Sequence, residues 1–403
     1  LVDSDSPFIF KVVDMSKARR HLEGLRVIDF SAVFAGPICA RFLADNGASV
    51  IKVEPPVGGD VIRGPEGYSR LFNHFNAGKR GIALNLAMTE AQEIAKELIS
   101  NADVVIENYR PGIMKKFGLD YESLKEAFPK LVYCSISGFG QTGPFAEKAA
   151  YAPIAHAASG FDHVFSQSQP GTVSTPPVWS IMVADMLTGA YANAALQTAL
   201  LGRERTGLGD FVDVTMMESM MMLIPGQIQN AQVPGAPATG GFFPIEVLDG
   251  HVMVCIVSNK NMETLCRAIS RPDILDDERF KLGQRHHHIS EFVAQIEAWT
   301  ATRSGKEVEE KFNDAGVPCS GYNTPADLFN HPQLTHRGSF TAFADDASDY
   351  LIQNAPFQFG GAQNTPSFKA PQLGEHTNEI LFERFGYEGA KLDELRLQGI
   401  IGG

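Results

Sequence analysis

The sequence predicts an α/β protein with a doubly wound, Rossmann-like large domain and a smaller α+β domain. Three observations carry this. Short apolar runs alternate with helical stretches from residue 25 to about residue 140. The length of 403 residues exceeds the ~250–300 at which one hydrophobic core stops growing. A Pro- and Gly-rich break at 234–244 then separates this region from a segment of different pattern.

Residues 25–30 read as a strand, broken at Ala35-Gly36-Pro37 and followed by a helix over 38–46; residues 49–54 form the next strand, stopped by Pro55 and Pro56. Strand, helix and strand in so short a span make a βαβ unit, which requires a parallel pair with the helix as crossover. A second unit joins strands at 81–86 and 103–107 through a helix over 89–100, with Thr89 and Glu93 expected to cap its start. Residues 121–127 are helical, and 131–137 read as a buried strand ending at Gly138. A long apolar helix is expected over 179–201, then a basic turn over 202–209 and a strand over 210–216. Met216, Met217, Met220, Met221 and Met222 follow in one short helix, where thioethers either fill irregular core space or face a partner subunit. Beyond the break, a strand over 250–257 and helices over 262–268, 290–300 and 306–313 make the small domain at 231–325. Residues 20–230 and 326–403 make the large one, which ends in a helix near 392–397. Met15-Ser16-Lys17 resembles a native start, so residues 1–15 are expected to be an extension or expression-derived.

Composition excludes several function classes. Forty-seven acidic against 34 basic side chains give a net charge of −13, which opposes broad binding to nucleic acid or anionic membrane. An anionic ligand therefore needs a local basic cluster. No apolar stretch reaches ~18 uninterrupted residues, so no membrane span is expected, and no secretory signal is visible. The five cysteines are widely spaced without a CxxC pair, as for buried thiols of a cytoplasmic protein.

The familiar cofactor motifs are missing. There is no GxGxxG after the first strand, no Walker loop, no HExxH and no GxSxG, so no nicotinamide, nucleoside triphosphate or metal is expected. His286-His287-His288 reads as a polar helix N-terminus, since adjacent helical side chains point in different directions. Basic residues gather at strand ends: Lys79-Arg80 before one, and Asn108-Tyr109-Arg110-Pro111-Gly112 with Lys115 and Lys116 after another. Ligands of an open parallel sheet sit beyond the carboxyl ends of its strands. Asn108, Arg110 and Lys116 thus either converge on one anion or form a solvated basic face. Asp185 lies in the otherwise apolar run 183–190, expected as the first turn of the long helix. A carboxylate there is costly unless a partner or a helix terminus holds it. It reads as a capping acid or as an ionised nucleophile.

These residues resemble the class III (CaiB/BaiF-type) coenzyme A transferases, a family that includes formyl-CoA:oxalate and succinyl-CoA-dependent dicarboxylate transferases. The matching stretches are 22–30 with Ala35-Gly36-Pro37, 47–54 leading to Gly59-Asp60, 76–80, 107–112, 137–144, 185–189 and 371–377. The resemblance implies that Asp185 attacks an acyl-CoA thioester to give an aspartyl anhydride and then an aspartyl-CoA thioester. It implies no permanently bound cofactor, CoA being part of the substrate. Phe34, Ala35, Leu84, Asn85, Asn108, Tyr109, Arg110 and Lys116 would bind CoA; Tyr151 would face the reacting carbonyl, and Gly240 and Gly241 would shield it. Ala152 stands where the family commonly has an acid. The implied partners are an acyl-CoA, a small carboxylic acid, dicarboxylic by preference, and a second copy of the chain in an interlocked homodimer. The small domain would then interrupt the large one. The alternatives are a 2-methylacyl-CoA racemase or epimerase of the same fold, which would use His where Tyr151 stands, and a non-catalytic CoA-binding protein.

Overall fold

The computed structural model describes residues 19–65, 69–169, 176–233, 242–281, 284–344 and 349–403. Its first strands are β1 (Arg26–Asp29), β2 (Ser49–Glu54), β3 (Arg80–Leu84), β4 (Val104–Glu107), β5 (Val132–Ser137) and β6 (Phe211–Thr215). They are followed by β7 (Phe243–Val247), β8 (Gly250–Val254), β9 (Cys319–Gly321), β10 (Phe340–Ala344), β11 (Asp349–Gln353) and β12 (Ile401–Gly402). Seven of them form one sheet in the order β12-β3-β2-β1-β4-β5-β6. All its pairings are parallel except β12 with β3.

The helices of this part are α1 (Ala35–Asp45), α2 (Arg70–Asn76), α3 (Thr89–Ser100), α4 (Ile113–Lys116), α5 (Tyr121–Leu124), α6 (Ala152–Ala158), α7 (Phe161–Ser168), α8 (Val183–Thr206) and α9 (Met216–Met221). Successive residues of β1 show the double winding. Val27 joins a cluster with Cys39, Leu43, Ala192 and Leu196 of α1 and α8. Ile28 joins another with Ile94, Leu98 and Leu395 on the opposite face. Parallel strands buried on both faces become continuous apolar runs, as Val104-Val105-Ile106 is here.

The described residues divide into two compact units, one formed by the segments up to Pro225 and from His336, the other spanning Gly226–Thr335. The second unit folds around the antiparallel sheet β7-β8-β9, with Ile245, Val252, Leu265, Phe292, Ile296 and Phe312 in its core. Its helices include Asn259–Ala268, Ile289–Thr300 and Gly305–Asp314. Among the described residues no helix is long and apolar enough to cross a membrane.

Several local expectations are corrected. α8 starts at Val183, not 179, and continues to Thr206 before a left-handed Gly207, so the basic stretch 203–205 is its last turn; cations there complement the helix dipole. Thr89 does not cap α3: it is the first helical residue, and the cap position is Met88. The helix expected over 121–127 is the single turn Tyr121–Leu124. The histidine run occupies a 3₁₀ turn, Arg285–His288, where His288 bonds to Glu291 at 3.1 Å. Among the described residues no three His, Cys, Asp or Glu side chains are grouped to hold a metal.

Candidate active site

The carboxyl ends of β1, β4 and β5 open into a cavity of about 230 Å³ lined by Ala32, Val33, Ala35, residues 108–111, residues 136–138, residues 148–151, Asp185 and Met216. Asp185 is third in α8 and only 9% exposed. It is not the capping acid, because the cap position is Met182 and makes no side-chain bond. A histidine does that work instead: Nε2 of fully buried His156, from α6, accepts the Ala184 N–H at 3.1 Å. Burial lowers the His156 pKa, which keeps this nitrogen available as an acceptor.

Two glycines allow the helices to bring Asp185 here. At Gly189, one turn beyond Asp185, a Cβ would lie 2.6 Å from the Ala35 carbonyl oxygen and collide with Ile38, so only glycine lets α8 lie against the start of α1. At Gly36 a Cβ would collide with Ser31. The result is that the Asp185 carboxylate lies beside the backbone N–H of Ala35, the first residue of α1, and its own backbone N–H, both of which favour its ionised form. Burial nevertheless prevails and pushes its pKa up to about 6. The group is an ionised carboxylate near neutral pH, more basic than an ordinary aspartate and set beside backbone N–H groups.

The charged residues lining the same cavity are Arg110 and Lys148, beside Tyr109 and Tyr151. Tyr151 is 69% exposed at the start of α6. Lys148, which sequence reasoning missed because loop 138–150 has no periodicity, holds its ammonium over the Phe145 ring at 3.4 Å. Glu107, beneath Tyr109, is buried and pushed up to about 7 by desolvation while accepting the Tyr109 N–H at 2.8 Å.

The other expected site residues fall as follows. Asn108 lines the cavity, but both ends of its amide are committed to Ala32, N–H and C=O each at 2.8 Å. It therefore shapes the loop after β1. Phe34 occupies the cap position of α1 and packs on Phe75 with centroids 4.9 Å apart. Leu84 is buried at the end of β3, and Asn85 next to it donates to the Gly399 carbonyl at 3.2 Å. They lie on the same carboxyl edge of the sheet but outside the cavity lining, as does exposed Lys116 at the end of α4. Gly240 and Gly241 lie outside the described residues.

Lys79 and Arg80 are not free to meet an anion, which corrects their place in the expected basic cluster. Lys79 is fully buried, with Nζ 2.8 Å from Asp29 and 2.9 Å from Asn76 Oδ1. Arg80 pairs with Glu379 and Glu383, each at 3.0 Å. The opposite charges needed to hold them are distant in sequence and carry no local signature.

A buried carboxylate in a cavity at strand ends is a candidate nucleophile, and comparison with known proteins shows the family. The model of "CoA-transferase family III" matches residues 22–377. The succinate–glutarate CoA-transferase of Agrobacterium fabrum is 33% identical over 92% of this chain and 98% of its own. The succinyl-CoA:mesaconate CoA-transferase of Haloarcula hispanica is 34% identical over 90% and 96%. Among solved structures, a CaiB/BaiF family protein from Brucella suis is 31% identical, with TM-score 0.78 over 91% of this chain and 100% of that one. The Mycobacterium tuberculosis protein Rv3272 is 26% identical, with TM-score 0.81 over 91% and 100%. With its sequence matched across both segments of the large unit and its fold shared along nearly the whole length, the chain belongs to CoA-transferase family III.

Proposed function

We propose that the protein moves CoA from an acyl-CoA to a small dicarboxylic acid through covalent intermediates on Asp185. The observation that carries this is the setting of Asp185: a buried carboxylate, raised in basicity, held by N–H donors and facing a cavity. Its oxygen attacks the thioester carbonyl, the C–S bond breaks, and CoA leaves as thiolate from an aspartyl–acyl anhydride. The thiolate then attacks the aspartyl carbonyl, giving an aspartyl-CoA thioester and the first free carboxylate. The acceptor carboxylate reverses both steps and regenerates Asp185. Splitting one acyl exchange this way is nucleophilic catalysis by a carboxylate. The Ala35 N–H, at a helix N-terminus, is placed to stabilise negative charge developing on the aspartyl oxygen.

The dicarboxylic preference rests on two supports. Relatives of nearly full length are named for succinate, glutarate and mesaconate. Arg110 and Lys148 also line the cavity that holds Asp185, so a cation is available for the second carboxylate of a bound diacid. CoA itself is assigned to the strand ends carrying Phe34, Ala35, Leu84, Asn85, Asn108, Tyr109, Arg110 and Lys116. Tyr151 offers a phenol where a racemase would use an imidazole, and a phenol is the poorer general base. The working unit in this reading is a homodimer; Val178 and Ile181, 98% and 65% exposed just before α8, are apolar surface that a second copy would cover. Incubation with succinyl-CoA followed by hydroxylamine and peptide mass spectrometry should place the modification on Asp185. Exchange of CoA between succinate and glutarate that survives in Asp185→Ala would overturn the reading.

A further inference from the structure

The turn after β1 that carries Ala35 to Asp185 has no ladder of its own, and buried or half-buried side chains hold nearly every backbone group of residues 31–33. The Ser31 N–H donates to Asp29 Oδ1 at 2.9 Å. The Ser31 carbonyl accepts from Lys52 Nζ at 2.8 Å. Ala32 is held on both sides by Asn108. The Val33 N–H donates to both oxygens of Asp60, at 3.1 and 3.2 Å, and Lys52 Nζ closes the set on Asp60 Oδ2 at 3.0 Å. Val33 itself has φ +69°, a backbone region a β-branched residue rarely enters without being held there. Asp60 is fixed in turn, since its N–H donates to Glu54 at 2.9 Å and Glu54 is paired with Arg63 at 2.6 Å.

A buried ion pair is weak evidence of stability, because apolar replacements of similar size are often neutral or better. This one touches the backbone of the turn at both ends, two residues ahead of the N–H that Asp185 accepts. We propose that Lys52 and Asp60 are positioning residues: together they lock residues 31–33 so that the Ala35 N–H is presented to the Asp185 carboxylate. The proposal rests on Asp185 being the nucleophile. When the lock is loosened, Asp185 loses a donor that favours its ionised form, so its pKa rises further and the attack slows, while CoA, bound along the strand ends, is retained.

The test compares the parent protein with Asp60→Asn, Lys52→Met and the double variant, measuring single-turnover labelling of Asp185 by succinyl-CoA from pH 5 to 8. CoA affinity is measured by calorimetry and folding by circular dichroism. The ionisable groups facing Asp185 across the cavity are Tyr109, Arg110, Lys148 and Tyr151, and all are unchanged in these variants. Expected are a fall in labelling rate of at least tenfold, a midpoint displaced to higher pH, CoA affinity within about threefold, and a double variant no worse than the poorer single one. Folded variants that label at the parent rate with the parent midpoint overturn the proposal, as does a loss confined to CoA affinity. Should Asp60→Asn fail to fold, Asp60→Glu supplies the same readout, because it keeps a charge for Lys52 while the longer side chain moves the carboxylate off the Val33 N–H; an unchanged rate and midpoint there is equally contrary. Absence of any label on Asp185 in the parent would instead overturn the nucleophile assignment.

Discussion

Replacing Asp185 by Asn should abolish turnover and make the protein more stable. The ordinary aspartate value of 3.8 is pushed up to about 6 here, chiefly because burial penalises the ionised form. At ~1.36 kcal/mol per pKa unit, ionising this group in the fold costs ~3 kcal/mol relative to the unfolded chain. The sign follows from the two protonation curves. Below about pH 4 the carboxyl is neutral in both states and contributes no difference. Between about 4 and 6 the unfolded chain ionises first, and stability falls as pH rises; above about 6 the full cost is present. Asparagine keeps the size and an acceptor oxygen for the Ala35 N–H but never carries the charge. The assay is urea unfolding of both proteins at pH 4, 6 and 8 in a Trp299→Phe background, so that fluorescence reports Trp179, whose Nε1 donates to Asp162 at 2.7 Å in the same unit. The Asn variant should gain up to ~3 kcal/mol at pH 8 and nothing near pH 4. Equal or lower stability at pH 8 would refute the claim that the fold holds an ionised carboxylate at its own expense. Because Glu107 titrates at about 7, a parallel Glu107→Gln protein separates its contribution.

Three further outcomes are expected. Gly189→Ala gains helix propensity of ~1 kcal/mol but drives a methyl against the Ala35 carbonyl and Ile38; the overpacking should prevail by ~1–2 kcal/mol in urea unfolding and slow labelling of Asp185. Lys148→Met should raise KM for succinate and glutarate roughly five- to tenfold and leave a monocarboxylate such as butyrate unchanged, as read by initial rates of acyl-CoA formation. Lys79→Met leaves Asp29 as an uncompensated buried charge and should cost ~3–5 kcal/mol of stability, whereas an exposed phosphate-binding lysine would lower CoA affinity with little effect on unfolding.

The parallel sheet was legible because strands covered on both faces are written as unbroken apolar runs between Gly and Pro breaks. Asp185 stood out for the opposite reason, one charge in an apolar helix. Its supporting residues were hidden. Lys52, in Val-Ile-Lys-Val-Glu, looks like the polar, solvent-facing position of an alternating strand, yet it is fully buried. Lys79 and Arg80 were legible as charge but not as pairs, since Asp29, Glu379 and Glu383 approach them only through the fold. His156 serves as the cap of a helix that begins 27 positions later, outside any local capping motif, as the 28-residue separation of its bond to Ala184 shows. Strand β12 escaped notice because two residues carry no periodicity.

That last strand bears on how the chain folds as it leaves the ribosome. Ile401 and Gly402 pair with Leu84 and Ala83, and the neighbouring bond from Asn85 to Gly399 spans 314 positions. By the time β3 has docked on β2, the whole second unit has still to be synthesised before the covering strand arrives. The nascent protein must therefore carry an open parallel edge through most of its translation, the kind of unpaired backbone that recruits other chains. A ribosome-bound intermediate stopped after residue 225 should engage holding chaperones strongly, and release from them should coincide with emergence of β12 rather than with completion of the second unit.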